Sequence, residues 1–183
     1  MIILLSMFLA GLLLFSFIPL GVAAPKTDDW FEITDGVLYF QEERYSGGSV
    51  LTVPEAIDGQ TVTALSVGCF ENLTGVTTIV LPKTLTEIRE RAFQGCTDLR
   101  GLKVPESVTT IGAGALRGCT ALEAVFLSTG VGSIGPDAFS GCSSLLYVFY
   151  NGLYQYLQGL YPDTINPYTY AVCLDGIYQF GLN

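Results

Sequence analysis

Histidine is absent from this chain. That removes the commonest general base, the commonest metal ligand and every catalytic triad that turns on an imidazole. Charge is scarce too. Only 14% of the 183 residues are charged, and eight Lys or Arg face seventeen Asp or Glu. The net charge of −9 repels a polyanion, which argues against nucleic acid as a partner. No CxxC pair, EF-hand spacing, glycine–aspartate nonapeptide or G-x-S-x-G elbow occurs, so structural zinc, calcium and serine hydrolysis lack their signatures. What is plentiful is apolar: half of the residues, enough for a packed core and too many for disorder.

Residues 1–24 carry no charge, and the polar run Pro25-Lys26-Thr27-Asp28-Asp29 follows at once. Two readings compete. A secretory signal peptide fits the apolar run, the helix-breaking Pro19 and the small residues Val22, Ala23 and Ala24, although a basic start is missing. Pro25 disfavours cleavage after Ala24, whereas cleavage after Ala23 avoids it. The rival is an uncleaved membrane anchor, because about 20 apolar residues span a bilayer. Either way the remainder is expected outside the cell. No cysteine near residue 24 offers a lipid attachment site.

From Val62 the chain repeats itself every 23 residues without insertion or deletion, over the span 62–150. Val62, Leu85, Val108 and Val131 fall in register, as do Leu65, Ile88, Ile111 and Ile134. Phe70, Phe93, Leu116 and Phe139 form a third row, and Val76, Leu99, Leu122 and Leu145 a fourth. Two more rows start at Ile79 and Leu81. A coil this short cannot bury its apolar side alone, so the period predicts a stacked solenoid, mainly β. Within a unit, Gly101-Leu102-Lys103-Val104 alternates as a strand does, and Pro105 then turns the chain. Ser107 to Ile111 reads as a second strand. Ala92-Phe93 and its counterparts read as one helical turn closed by Gly95, Gly118 or Gly141, residues that tolerate positive φ. The expected fold is four coils with parallel ladders and short helical corners.

These repeats, for example VPESVTTIGAGALRGCTAL and LSTGVGSIGPDAFSGCSSL, resemble those of BspA-type leucine-rich-repeat proteins of bacteria. The opening FEITDGVLYF and the lead-in LTVPEAIDGQTVTAL are similar to the family's as well, so the resemblance covers about residues 31–150. It implies a surface-exposed or secreted protein, in some cases an adhesin, and carries no catalytic residue. The chain departs from the pattern at Asn72-Leu73, where later units have Gly-Cys, at Leu116 for Phe, and at Ser128 for Pro.

Segments 25–61 and 151–183 read as caps. Asp35-Gly36 marks a hairpin in the first, and Asp175-Gly176 one in the second, after a possible short helix at 153–161. After Tyr150 the repeat pattern fails. Five cysteines cannot all pair, and Cys96, Cys119 and Cys142 share one phase with side chains pointing the same way, so a buried row of free thiols is expected. The acidic residues at Asp28, Asp29, Glu32, Asp35, Glu42 and Glu43 read as a solvated face, and Thr63, Thr86 and Thr109 as a polar strand face.

Eight of the ten tyrosines lie between residues 147 and 178, and this concentration guides the functional reading. Outward rows on the first strand side run Thr78, Gly101, Ala124, Tyr147 and Val80, Lys103, Phe126, Phe149. The candidate partner-binding face is therefore Lys103, Phe126, Tyr147 and Phe149. Exposed rings suit an interface, but the C-terminal cap could equally bury them. The expectation is an exported or cell-surface interaction module, monomeric, meeting an extracellular protein and touching membrane only through an uncleaved N-terminal segment. It is not an enzyme and needs no cofactor or metal. The alternative is a carbohydrate-binding or enzyme-accessory domain that uses tyrosines as stacking platforms.

Overall fold

The computed structural model describes residues 29–153, 157, 165 and 167–180; the uncharged segment 1–24 and most of the expected helix at 153–161 lie outside them. The described chain opens with a hairpin, β1 (Phe31–Thr34) and β2 (Val37–Phe40), turned at Asp35 and Gly36, both with positive φ. β3 (Val50–Thr52) follows, then a small antiparallel pair, β4 (Ala56–Ile57) and β5 (Gln60–Thr61), and β6 (Ala64–Leu65). Each successive coil adds one three- or four-residue strand and one two-residue strand. These are β7 (Thr78–Val80) and β8 (Glu87–Ile88), β9 (Gly101–Lys103) and β10 (Thr110–Ile111), β11 (Ala124–Leu127) and β12 (Ser133–Ile134). The last are β13 (Tyr147–Tyr150) and the hairpin of β14 (Tyr170–Cys173) and β15 (Gly176–Gln179).

The strands gather into two long sheets, as a coil with two straight sides requires. One has the order β1-β2-β6-β8-β10-β12 and the other β15-β14-β13-β11-β9-β7-β3. Within the repeats all pairs are parallel, and partners differ by 23: Glu87 faces Thr110, which faces Ser133. The six apolar rows point between the sheets and form one continuous core, in which Phe93, Ile111, Leu116 and Val125 have no exposed surface. The second strand side is shorter than the five residues expected, since only Thr110 and Ile111 pair in that coil.

The corners are not helical. In the Arg89–Cys96 corner, Ala92, Gln94 and Cys96 donate their amides within the coil, to Arg89, Arg91 and Phe93. The intervening amides of Arg91, Phe93 and Gly95 donate instead to Ala113, Ala115 and Arg117 of the next coil. A helix needs every amide for its own chain, so the demand of the stack for alternate ones leaves a run of turns. The turns are tight. Gly95, Gly118 and Gly141 have φ of 73°, 73° and 76°, and Asn72, in phase with them, has 62°. That explains the departure in the first repeat, because asparagine is the residue other than glycine that best tolerates this region.

The period also outlasts its sequence pattern. Tyr147, Val148 and Phe149 pair in register with Tyr170, Ala171 and Val172, again 23 residues on. Leu157, in phase with Ile134, is buried, and Ile165, in phase with Cys142, packs on the core. The described residues beyond Tyr150 thus keep the 23-residue spacing of the stack before β15 turns back.

Candidate interaction face

Alternation in the seven-stranded sheet sends Leu102, Val125 and Val148 inward and leaves two rows outside. The register brings Lys103, Phe126, Phe149 and Val172 into one line, and Gly101, Ala124, Tyr147 and Tyr170 into the other. All four residues expected from the sequence therefore stand on one face. Phe126 is 44% exposed and Tyr147 43%, while Phe149 is half-buried between its neighbours. The Phe126 and Phe149 rings stack with centroids 4.6 Å apart and planes 7° from parallel. Tyr147 leans on Phe149 at 5.9 Å and on Tyr170 at 6.2 Å. β14 does not fold over these rings. It lies beside β13 and lengthens the row by Tyr170 and Val172.

An open groove of about 950 Å³ crosses β7, β9 and β11. Its floor includes Gly101 and its sides include Val80, Lys83, Lys103, Glu106 and Phe126. A smaller hollow of about 370 Å³ continues it toward β13 and β14 and shares Lys103, Glu106 and Phe126. Four arginines elsewhere are neutralised: Arg44 by Glu32, Arg89 by Glu87, Arg91 by Glu71 and Glu90, Arg100 by Glu123. Among the described residues, Lys83 and Lys103 have no carboxylate within ion-pair distance. In a chain of net charge −9, these two lysines line one groove, together with Glu106. The outward rows alone did not reveal Lys83 and Glu106 as neighbours of the rings, because they stand in the turns after β7 and β9. Tyr170 was within reach, lying 23 residues beyond Tyr147.

Other groups singled out for chemistry serve the stack. The thiols of Cys96, Cys119 and Cys142 donate to the carbonyls of Phe70, Phe93 and Leu116 in the preceding coil at 3.0–3.1 Å. All five cysteines are free, four of them buried. The Cys142 thiol draws the Cys119 value down, but the Cys96 thiol and burial outweigh it and push Cys119 up to about 12. Burial lifts Cys69 to about 12, and the Cys119 thiol together with burial raises Cys142 as well. Such thiols are poor nucleophiles. The hydroxyls of Thr63, Thr86 and Thr109 donate to Gly36, Thr63 and Thr86 of the preceding coil, so this row fastens coils together. Among the described residues, no group of three Cys, Asp or Glu side chains is placed to hold a metal ion.

The family model described as BspA type leucine rich repeat region matches residues 56–159, in six copies. Several solved structures share the fold. One is a leucine rich repeat protein of T. pallidum, at 24% identity over 70% of this chain and 71% of that one, with TM-score 0.53. A leucine rich cell surface protein from Faecalibacterium prausnitzii A2-165 matches at 22% identity and TM-score 0.57, over 71% of this chain and 40% of that one. A third, a leucine-rich repeat protein from Bacteroides capillosus ATCC 29799, matches at 25% identity and TM-score 0.58, over 67% and 93%. No curated protein matches the chain.

Proposed function

Because the chain belongs to the BspA-type leucine-rich repeat family, we propose that it is an exported or cell-surface module that holds a protein partner on the outer face of its seven-stranded sheet. A cell surface protein stands among its fold neighbours, and stacked repeats commonly present extended binding surfaces. The observation that carries the reading is the aromatic row. Phe126 and Tyr147 keep more than two-fifths of their surface in solvent, in line with Phe149 and Tyr170, on a sheet whose core is filled from the other side. Exposed rings gathered in one patch suit a protein interface.

The carbohydrate reading draws less support from the same geometry. A sugar stacks on a free ring face, and Phe126 and Phe149 cover one face of each other. Lys103 and Val172 stand next in line on the two remaining sides. The two phenylalanines therefore each have one face fewer for a sugar to stack on.

The test is a pull-down of extracellular proteins with the parent chain and with Phe126→Ala/Phe149→Ala. Truncating a central anchor commonly costs about 2 kcal/mol, roughly thirty-fold in affinity. A partner held by the parent and released by the double variant, with melting curves that coincide, supports the reading. Equal retention by both proteins, or adsorption to insoluble polysaccharide that the double variant loses, overturns it.

A further inference from the structure

Gly101 has no evident reason to be glycine. It sits in the middle of the ladder, between Thr78 and Ala124. Its φ lies outside the left-handed region, and a Cβ there would meet nothing nearer than the Ala124 carbonyl oxygen at 3.7 Å. Glycine inside a strand weakens it, and where the fold does not demand it, it marks a place where another backbone or a ligand comes close. Here the missing side chain opens the groove floor between Lys103, Val80 and the Phe126 ring.

We infer that this groove binds an extended peptide segment of a partner protein that carries one carboxylate beside an apolar side chain. The inference rests on the reading that this face holds a protein partner, and it adds what the partner presents. The apolar side chain fills the space over Gly101 and packs against Phe126 and Val80. The carboxylate meets Lys103 and Lys83, the two lysines without an ion-pair partner among the described residues. Glu106 on the wall limits the charge the site accepts. Two ammonium groups against one carboxylate leave a single positive charge, which one acidic side chain neutralises and a run of acids overshoots.

The test pans a phage-displayed library of random linear peptides on the full chain. Selected peptides are then measured against Gly101→Thr, Lys103→Ala and Phe126→Ala/Phe149→Ala. Threonine already stands at the same phase in Thr78, so Gly101→Thr keeps the fold and its melting temperature does not fall. The expected peptides hold Asp or Glu next to an apolar residue and bind more weakly as salt rises. Affinity drops about tenfold for Lys103→Ala and is lost for Gly101→Thr. A library that yields no binder, peptides without the acidic–apolar pair, or full binding to Gly101→Thr overturns the groove. If binding is lost only in the double phenylalanine variant, the face stands and the groove falls. If neither change matters, both readings fall. Self-association of the parent that Gly101→Thr abolishes makes the occupant a second copy and overturns the inference.

Discussion

Ser128 stands where two preceding coils carry Pro82 and Pro105, and its hydroxyl is buried without a hydrogen-bond partner. A buried polar atom left unpaired costs stability, and the backbone at this phase already accommodates proline twice. Ser128→Pro removes the orphan hydroxyl and restricts the unfolded chain. It is therefore expected to raise stability by about 0.5–1 kcal/mol in urea melts; a loss would show that the third turn differs from its neighbours. The thiols make a second residue-scale test. Cys69 and Cys119, with values near 12, are almost wholly protonated at neutral pH and inaccessible besides. Cys173 is half-buried at the edge of the smaller hollow and is raised less, to about 11, by burial and then by the charge of Asp175. Under native conditions a maleimide is expected to label Cys173 first, and the Cys96, Cys119 and Cys142 row only after denaturant is added. Mass spectrometry of the labelled peptides gives the order, and early label in the row contradicts the ladder of thiol–carbonyl bonds.

At the scale of elements, a coil is only as stable as its contacts with the coils before and after it. Ile111 pairs in register with Ile88 on one side and Ile134 on the other, and none of its surface is exposed. Ile111→Ala is expected to cost about 2–5 kcal/mol, and Thr110→Ala, half-buried on the outward side, within about 0.5 kcal/mol. Equal costs in chemical denaturation would mean the inward and outward rows are exchanged. The inward rows were legible in the sequence because a strand side alternates and the period is fixed, so a residue's phase gives its neighbours. The corners were not. Ala92-Phe93-Gln94-Gly95 has the composition of a helical turn, and only the alternate sharing of amides with the next coil makes it something else. Arg91 and Asp137, with φ of 57°, occupy the phase of Gly68 and Gly114, and nothing about an arginine signals that conformation. The continuation beyond Tyr150 was hidden for another reason: Leu157 matches Leu65 in its row, but Ile165 stands at the phase of Cys142 and Ala171 at that of Val148, so the residue types of the repeat are lost around it. Of the interaction face, the aromatic row was readable from phase alone. The groove beside it depends on where the turns place Lys83 and Glu106.

At the scale of the whole molecule, one core runs from Phe31 to Ala171, and little on its surface responds to pH near neutrality. Histidine is absent, so no side chain of ordinary pKa changes charge between pH 6 and 8. The ion pairs are largely exposed, from Arg44 with Glu32 to Arg100 with Glu123, and pairs of that kind contribute little. The buried thiols are different. In the unfolded chain a thiol ionises near 9, whereas Cys69 and Cys119 hold their protons up to about 12 when folded. Their folded values are raised, so the stability they contribute is fully present below pH 9. It is lost progressively as pH rises from 9 toward 12, because the unfolded state gives up protons that the folded state keeps. Growing negative charge acts in the same direction on a chain that already carries −9. A variant with Cys69→Ala and Cys119→Ala separates the share of these two thiols from that of the surface charge and the remaining cysteines. Urea midpoints of the parent are expected to stay level from pH 6 to 8 and to fall between pH 9 and 10.5, with a clearly shallower fall in the double variant. Parallel slopes for the two proteins would take Cys69 and Cys119 out of the account and leave the alkaline loss to surface repulsion and the remaining thiols.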